Sequence, residues 1–445
     1  MTRLAYTVSL VAPSVLSAVG ICAIASAADQ NSDVAARIAE LKREVATLKG
    51  DSTAWLTEER AAEIRGIVRD VLADSDTRTS LQGATGAGYN GGFFLSSADG
   101  NYSMKMNVLE QIRWTFNDQS DVNNEQVSGF ENKRTRLTFG GNMVDTTWTY
   151  RLAYNIAYSN SAEDFGADEL SDAFVAKDFE CGASMTVGQF KLPFSSEYDI
   201  DVGNMQFMDY STVDAFYRAG YGQGIKFDYE SDFTRFGIAY VNAIRDANDP
   251  WGPGSPEDQW AFSSRVDLKF AGNWGQFTRG QSWKGDGYGV KVGLGAYSLS
   301  ENTPPGIDAT ALTLDTSVNF GGANLTVAYY WNEVDNTGTA ADGANPTGLV
   351  VAGGVFVSDD WELVARYEGS SVDVNFGGAE DFSALTVGGN CYLSRNQSKF
   401  SVDFGYAFDA VSAIYAPYAI SNNWIEDPAG EDGQWLIRTQ LSFSF

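Results

Sequence analysis

The sequence predicts an all-β fold, a 16-stranded antiparallel transmembrane β-barrel with a short N-terminal helical extension. Three observations predict it. Apolar residues recur at every second position over stretches of 10 to 16 residues, and the connections between stretches alternate between short and long. No stretch after residue 27 is apolar for the roughly 18 residues a membrane helix needs, so a membrane-spanning chain must close into a barrel, where every backbone group is paired.

Residues 1–27 read as an export signal: Arg3, an apolar run from Leu4, and the small residues Ala25, Ser26 and Ala27 before Ala28. Residues 28–50 read as a short coiled coil. Val34, Ile38, Leu41, Val45 and Leu48 are spaced 4, 3, 4 and 3 apart, with Glu44 and Lys49 on flanking positions, although an ordinary amphipathic helix packed on a neighbour has the same spacing. Residues 51–80 carry an amphipathic helix, with Thr57 as N-cap and Ile64, Val68 and Val71 or Leu72 on one side. The glycine-rich stretch 81–92 reads as a flexible linker, and 93–445 as the barrel.

The first barrel strand alternates most clearly. Tyr102, Met104, Met106, Val108, Ile112, Trp114 and Phe116 share one face, and Lys105, Asn107, Gln111, Arg113 and Thr115 the other. Glu110 interrupts the apolar face, where either a subunit contact covers it or a local bulge turns it inward. Strands are expected near 102–117, 130–142, 146–158, 170–178, 183–191, 221–229, 233–243, 260–270, 285–298, 310–320, 323–333, 348–357, 361–368, 382–394, 398–409 and 434–445. These exceed the usual soluble strand of about 5 to 6 residues and suit a tilted membrane span. Turns after even-numbered strands are mostly short, as in "VDT", "SDD" and "RNQ", and loops after odd-numbered strands are mostly long; 271–284 is the exception. In the last strand Ile437, Leu441, Phe443 and Phe445 face outward with Thr439, and aromatics near strand ends, such as Trp114, Phe116, Trp148 and Tyr158, suit interface girdles.

Composition narrows function. With 58 acidic residues against 30 Lys plus Arg the formal net charge is -28, which argues against a nucleic-acid partner. The chain has no histidine, so it lacks the commonest general base and metal ligand, and no residue is singled out as catalytic, metal-binding or cofactor-binding. Cys22 would leave with the signal; Cys181 and Cys391 either pair in an oxidising compartment or are two unrelated thiols.

Parity places Lys105, Arg113, Arg134, Arg136, Arg151, Lys226, Arg265 and Lys269 on the inward face, with Lys191 at the end of the fifth strand, as pore-lining candidates. Asp228, Asp267, Asp315 and Asp403 join them. The longest well-framed loop, 192–220, follows the fifth strand and is long enough to fold into the bore; its constriction candidates are Glu197, Asp199, Asp201, Asp209, Asp214 and Arg218. A basic wall facing an acidic loop would set a transverse field that orients solutes, while the same charges would also simply keep a bore wet.

The blocks "GFFLSSADGNYSMKMNVLEQIRW", "ENKRTRLTFGGNMVDTTWTYRLAYNIAY", "VGQFKLPFSSEYD" and "YRAGYGQGIKFDY" occur in an order and spacing that resemble the phosphate-selective porin family of the O/P type. "LTEERAAEIRGIVRDVLADSDTRTSL" before them resembles the N-terminal segment of planctomycete-like members. The resemblance covers most of residues 57 to 245 and implies a trimeric 16-stranded barrel in the outer membrane, with Arg134, Arg136 and Lys191 as pore charges. The acidic total and the acid-rich loop depart from a phosphate-selective pattern. The expected function is passive diffusion of small hydrophilic solutes or ions, with outer-membrane lipid as surroundings. The alternative is a structural anchor whose coiled coil contacts the cell wall.

Overall fold

The computed structural model describes residues 37, 39–43, 86–119, 126–156, 170–245, 259–301, 307–336, 343–372, 381–427, 430 and 432–445. The chain divides into Met1–Gly83 and Ala84–Phe445. In the first unit residues 37 and 39–43 are helical; the export signal, the second helix and all of the coiled-coil seam but Leu41 lie outside the described residues.

The second unit contains β1 (Gly86–Tyr89), β2 (Phe93–Ser96), β3 (Ser103–Asp118), β4 (Gln126–Met143), β5 (Asp145–Asn155), β6 (Leu170–Asp178), β7 (Ala183–Lys191), β8 (Tyr221–Glu230) and β9 (Thr234–Val241). These are followed by β10 (Gln259–Ala271), β11 (Gly289–Glu301), β12 (Ile307–Asn319), β13 (Ala323–Asn336), β14 (Thr347–Phe356), β15 (Trp361–Ser371), β16 (Phe382–Tyr392), β17 (Ser398–Ala407) and β18 (Trp435–Ser444). Each strand from β3 onward pairs antiparallel with the next, and β18 returns to β3 in the register Ile437↔Phe116 and Phe443↔Glu110, which closes a ring of sixteen. The ring continues into Phe445, whose N–H donates to Val108 O (3.0 Å) while Val108 N–H donates to Phe445 O (2.7 Å). β6 and β7 begin and end at the residues the alternation marks.

Large apolar side chains such as Leu314, Phe404 and Tyr406 stand exposed on the outside, whereas Arg113, Arg366 and Arg438 are buried inside. That inversion of a soluble protein is what lipid outside and a polar lumen produce.

The stretch read as a linker contains β1, which forms a hairpin with β2. Gly91 (φ 60°) and Gly92 (φ 148°) make its turn, so glycines that look like flexible spacer serve a backbone reversal instead. β2 pairs with Ser103–Met106, on the edge of β3 that β18 occupies further along, and so lengthens the wall on the short-turn rim.

Glu110 stays on the outward face, where it accepts a hydrogen bond from Thr135 Oγ1 (2.7 Å). The bulge expected there as one alternative lies instead on the neighbouring strand. Gln111 pairs with Arg134 and Ile112 with Asn132, leaving Lys133 as the extra residue, so Lys133 and Arg134 both point into the bore. Cys181 and Cys391 are both free, which removes the disulfide alternative.

The inside has two kinds of wall. On β9–β14 the inward positions include the small or apolar Ala239, Val241, Ala261, Ala309, Ala311, Ala328 and Val350. On β3, β4 and β15–β18 they include the charged Arg113, Arg134, Glu362, Arg366, Lys399 and Arg438 beside apolar Phe382, Ala384, Ala407 and Leu436.

Candidate permeation pathway

The β7–β8 loop (192–220) crosses the bore. Three caps organise it: Ser195 accepts from Tyr198 N–H (3.2 Å), Asp201 from Gly203 N–H (2.9 Å) and Ser211 from Asp214 N–H (3.0 Å), starting a helical turn at Ser196–Asp199, a 3-10 turn at Val202–Asn204 and a short helix at Thr212–Tyr217. Phe194, Val213, Phe216 and Tyr217 pack with the alanine-rich wall in one apolar cluster, so burial of these side chains seats the loop.

Opposite lies the basic wall. Asp209 is fully buried between Arg113 and Arg134, with an Arg134–Asp209 distance of 2.6 Å and a shorter contact to Arg113. Burial would raise the Asp209 carboxyl, but Arg113 first, then Arg134, Lys133 and Arg438, hold it well below the usual carboxylate range. Asp201 behaves alike: burial opposes ionisation, and Arg136, Lys191, the Gly203 N–H and Arg151 overcome it. On the far side of the loop the balance reverses. Burial and the neighbouring Asp214 push Glu197 up to about 7, although Arg366 lies 3.6 Å away. Burial also raises Asp214, which accepts from Tyr330 OH (3.0 Å) and from Ser195 Oγ.

A second loop, after β17, enters the same bore through its described residues 408–427. Its 3-10 turn Ile420–Asn422 ends at Asn423 in the left-handed region (φ 62°), leaving carbonyls free to accept hydrogen bonds. Ser421 O accepts from Arg113 (3.1 Å) and Lys133 (2.9 Å), and Asn422 O from Arg438 (2.9 Å). At this height Arg113, Asp209, Arg366 and Arg438 are all within 1 % of full burial, so wall and loops are in contact across the described bore.

Open space lies toward the short-turn rim. A cavity of about 520 Å³ is lined by Arg136, Arg151, Asp201, Arg279, Arg395 and Asn396 among others. Another of about 630 Å³ includes Lys105, Asn107 and Arg151, and one of about 300 Å³ includes Lys191, Lys226, Asp228, Arg265 and Asp267.

Of the residues expected in the pore, Arg113, Arg134, Arg136 and Arg151 converge on the loop aspartates, Arg136 and Arg151 reaching Asp201 at 3.7 and 3.4 Å. Lys191 donates to Tyr198 O (2.8 Å) beneath the loop, and the Arg218 guanidinium stacks 4.1 Å from the Tyr198 ring. Arg265 is held by Asp267 (2.6 Å) and Asp315 (2.8 Å) on the other wall. Lys226 pairs with Asp228 along its own strand (3.0 Å), Lys269 lies over Trp274 (5.1 Å), and Asp199 is exposed, so these three stand apart from the central cluster. Lys133, Arg366, Lys399 and Arg438 were not among the pore-lining candidates. Arg366 and Arg438 lie in strands whose alternation is clean enough to have assigned them; Lys133 needed the bulge.

The combination of a closed ring, an inward-folded loop after the fifth barrel strand and an arginine wall has a counterpart among known families. Residues 106–252 match the family described as "Phosphate-selective porin O and P". The closed ring of the described residues is a porin-type barrel fold. No curated protein matches it. Among solved structures, an anion-selective porin from Comamonas acidovorans is 12% identical, covers 77% of this chain and 99% of its own, and superposes with a TM-score of 0.53. OmpT, an outer membrane protein of Vibrio cholerae, is 13% identical over 80% of this chain and 99% of its own, with a TM-score of 0.52. A trimer form of the same OmpT is 13% identical over 77% and 99%, with a TM-score of 0.50. At these identities the likeness is one of fold, and this barrel shares that fold.

Proposed function

We propose that this porin conducts small hydrophilic anions by passive diffusion along the β3–β5 wall. The observation that carries the reading is the bulge that turns Lys133 and Arg134 inward together, which adds to Arg113, Arg136 and Arg151 a fourth and fifth cation on one side of the bore. Low-dielectric walls focus such a field, so anions are drawn in and cations held back. The match to a phosphate-selective family supports phosphate among the solutes. Homotrimer assembly, export by residues 1–27 and lipid contact through the aromatic exterior belong to the same reading; a trimer form of a fold neighbour supports the first.

One observation favours the structural alternative, an anchor between membrane and cell wall: the burial of Arg113 and Asp209 leaves the central bore filled by its loops. Single-channel recording in planar bilayers with asymmetric KCl, and then with phosphate, separates the two. Anion-selective current that loses selectivity in Lys133→Ala and Arg134→Ala, and keeps it in Lys226→Ala, supports the channel. Silence supports the anchor, and cation preference would mean that the loop carboxylates govern.

A further inference from the structure

The β10–β11 connection (272–288) is long on the rim where the other turns are short, and diffusion through a barrel does not require it. Its 3-10 turn Trp274–Phe277 is capped by Asn273 and Gln276, and Trp274 Nε1 donates to Ser231 O (2.7 Å), which fixes its base to the β8–β9 turn. Its tip reaches the β7–β8 loop. Gly280 N–H donates to Asn204 O (3.0 Å), and Gln281 Nε2 donates both to Met205 O (3.0 Å) and to Asn396 Oδ1 of the β16–β17 turn (2.8 Å). Asn396 Nδ2 in turn reaches Asn204 Oδ1 (3.2 Å).

The approach is close enough to exclude a side chain. A Cβ at Gly280 would lie 2.7 Å from Gln206 N and 2.8 Å from Gln206 Cβ, so the segments meet this closely because residue 280 is glycine, and a side chain there requires an outward shift. The loop that descends from one rim and the connection that rises from the other are thus joined at Asn204–Gln206, and the connection's Arg279 and Trp283 also line the cavity of about 520 Å³ beside that loop.

We propose that the β10–β11 connection is the gate of this porin on its short-turn side, and that Gly280 and Gln281 are the positioning residues that hold the β7–β8 loop tip in the closed arrangement. The proposal rests on the channel reading above. With the tip held, the bore is closed by contact between loop and walls. With it released, the tip swings away from the third rim partner, Asn396, and the cavity below opens toward the basic wall.

A reversible lock tests this. In the full-length protein, Gln206→Cys with Gly280→Cys places two thiols at adjacent Cβ positions, within reach of a disulfide after a small outward shift. Single-channel current is recorded before and after reductant, alongside Gln281→Ala and wild type, with folding checked by heat-modifiable gel mobility. The expected result is low open probability while oxidised, at least a threefold rise on reduction, and a similar rise in Gln281→Ala. Current that is the same oxidised and reduced, with Gln281→Ala equal to a conducting wild type, overturns the gate and leaves the channel reading standing. Silence in wild type with current in reduced Gln206→Cys/Gly280→Cys or in Gln281→Ala supports both, and silence in every folded variant overturns both.

Discussion

Asp209 and Asp214 are five residues apart in the same loop and both are fully buried, yet the barrel treats them as opposites. Asp209 meets Arg113 and Arg134 and is held as a carboxylate. Asp214 faces hydroxyl groups of Ser195 and Tyr330 with Glu197 nearby, and burial prevails over the attraction of Arg218. The difference teaches that an acid-rich constriction loop is not one negative surface. Asp201 and Asp209 are neutralised by a basic wall and Glu197 and Asp214 are discouraged from ionising, which leaves Asp199 as the exposed acid of the loop and the wall cations to set the bore's field.

The sharpest way to break this comparison is Asp209→Ala. It leaves two buried guanidinium groups without their carboxylate, and the expected cost is about 3–5 kcal/mol, read as a lower urea midpoint of the folded barrel. A midpoint equal to wild type would mean that the arginines repartner freely and that Asp209 has no special standing.

A smaller effect is expected from pH. Because Glu197 sits at about 7 when folded, against an ordinary 4.5, the folded barrel binds more protons between those values. This group's contribution therefore falls as pH rises from 4.5 to 7 and is flat above, opposite in sign to the usual surface-paired carboxylate. Urea midpoints of wild type and Glu197→Gln measured across this window should differ in slope, with the variant flatter. Parallel curves would place the loop's far side in the same class as Asp209.

Smaller again is Asp214→Asn, which keeps an oxygen for Tyr330 and Ser195 while removing a charge that burial already opposes. The cost should stay below about 1 kcal/mol at neutral pH, and Asp209→Asn should exceed it severalfold in the same titration. The smallest expected change is in Lys226→Ala, whose ion pair with Asp228 is partly exposed and worth well under about 1 kcal/mol.

Much of the ring was legible because parity is a strong code when one face meets lipid and the other water. Trp114 and Arg113 cannot trade places without cost, so strand positions follow from the alternation itself. The same code is blind to a bulge, where two neighbours share a face, and Lys133 was invisible for that reason. It is also blind to what fills the lumen. The inward alanines of β9–β14 were a readable sign, since a water-filled bore has no use for Ala239, Ala261, Ala309 and Ala311 facing it, and they mark where the loop docks. The inward turn at Ser421–Asn423 carried no such sign. Its grip on Arg113 and Lys133 works through the Ser421 carbonyl, which every residue type has, and Asn423 Oδ1 adds a second acceptor for Arg113 (2.8 Å). The glycines of the first hairpin misled because a turn and a spacer share composition.

The extra residue in β4 has a consequence for anyone aligning relatives or tracing mutations. Loss of the single codon for Lys133 would subtract one charge and flatten the strand but would not rethread it: Arg134 would stay opposite Gln111 and Asn132 opposite Ile112, so Phe130 would keep its outward place and Glu131 its place beside Asn423. Inward positions are 131 and 133 before this point and 134 and 136 after it, so alternation counted along the strand must be offset by one here, or the residues on one side of it will be assigned to the wrong solvent.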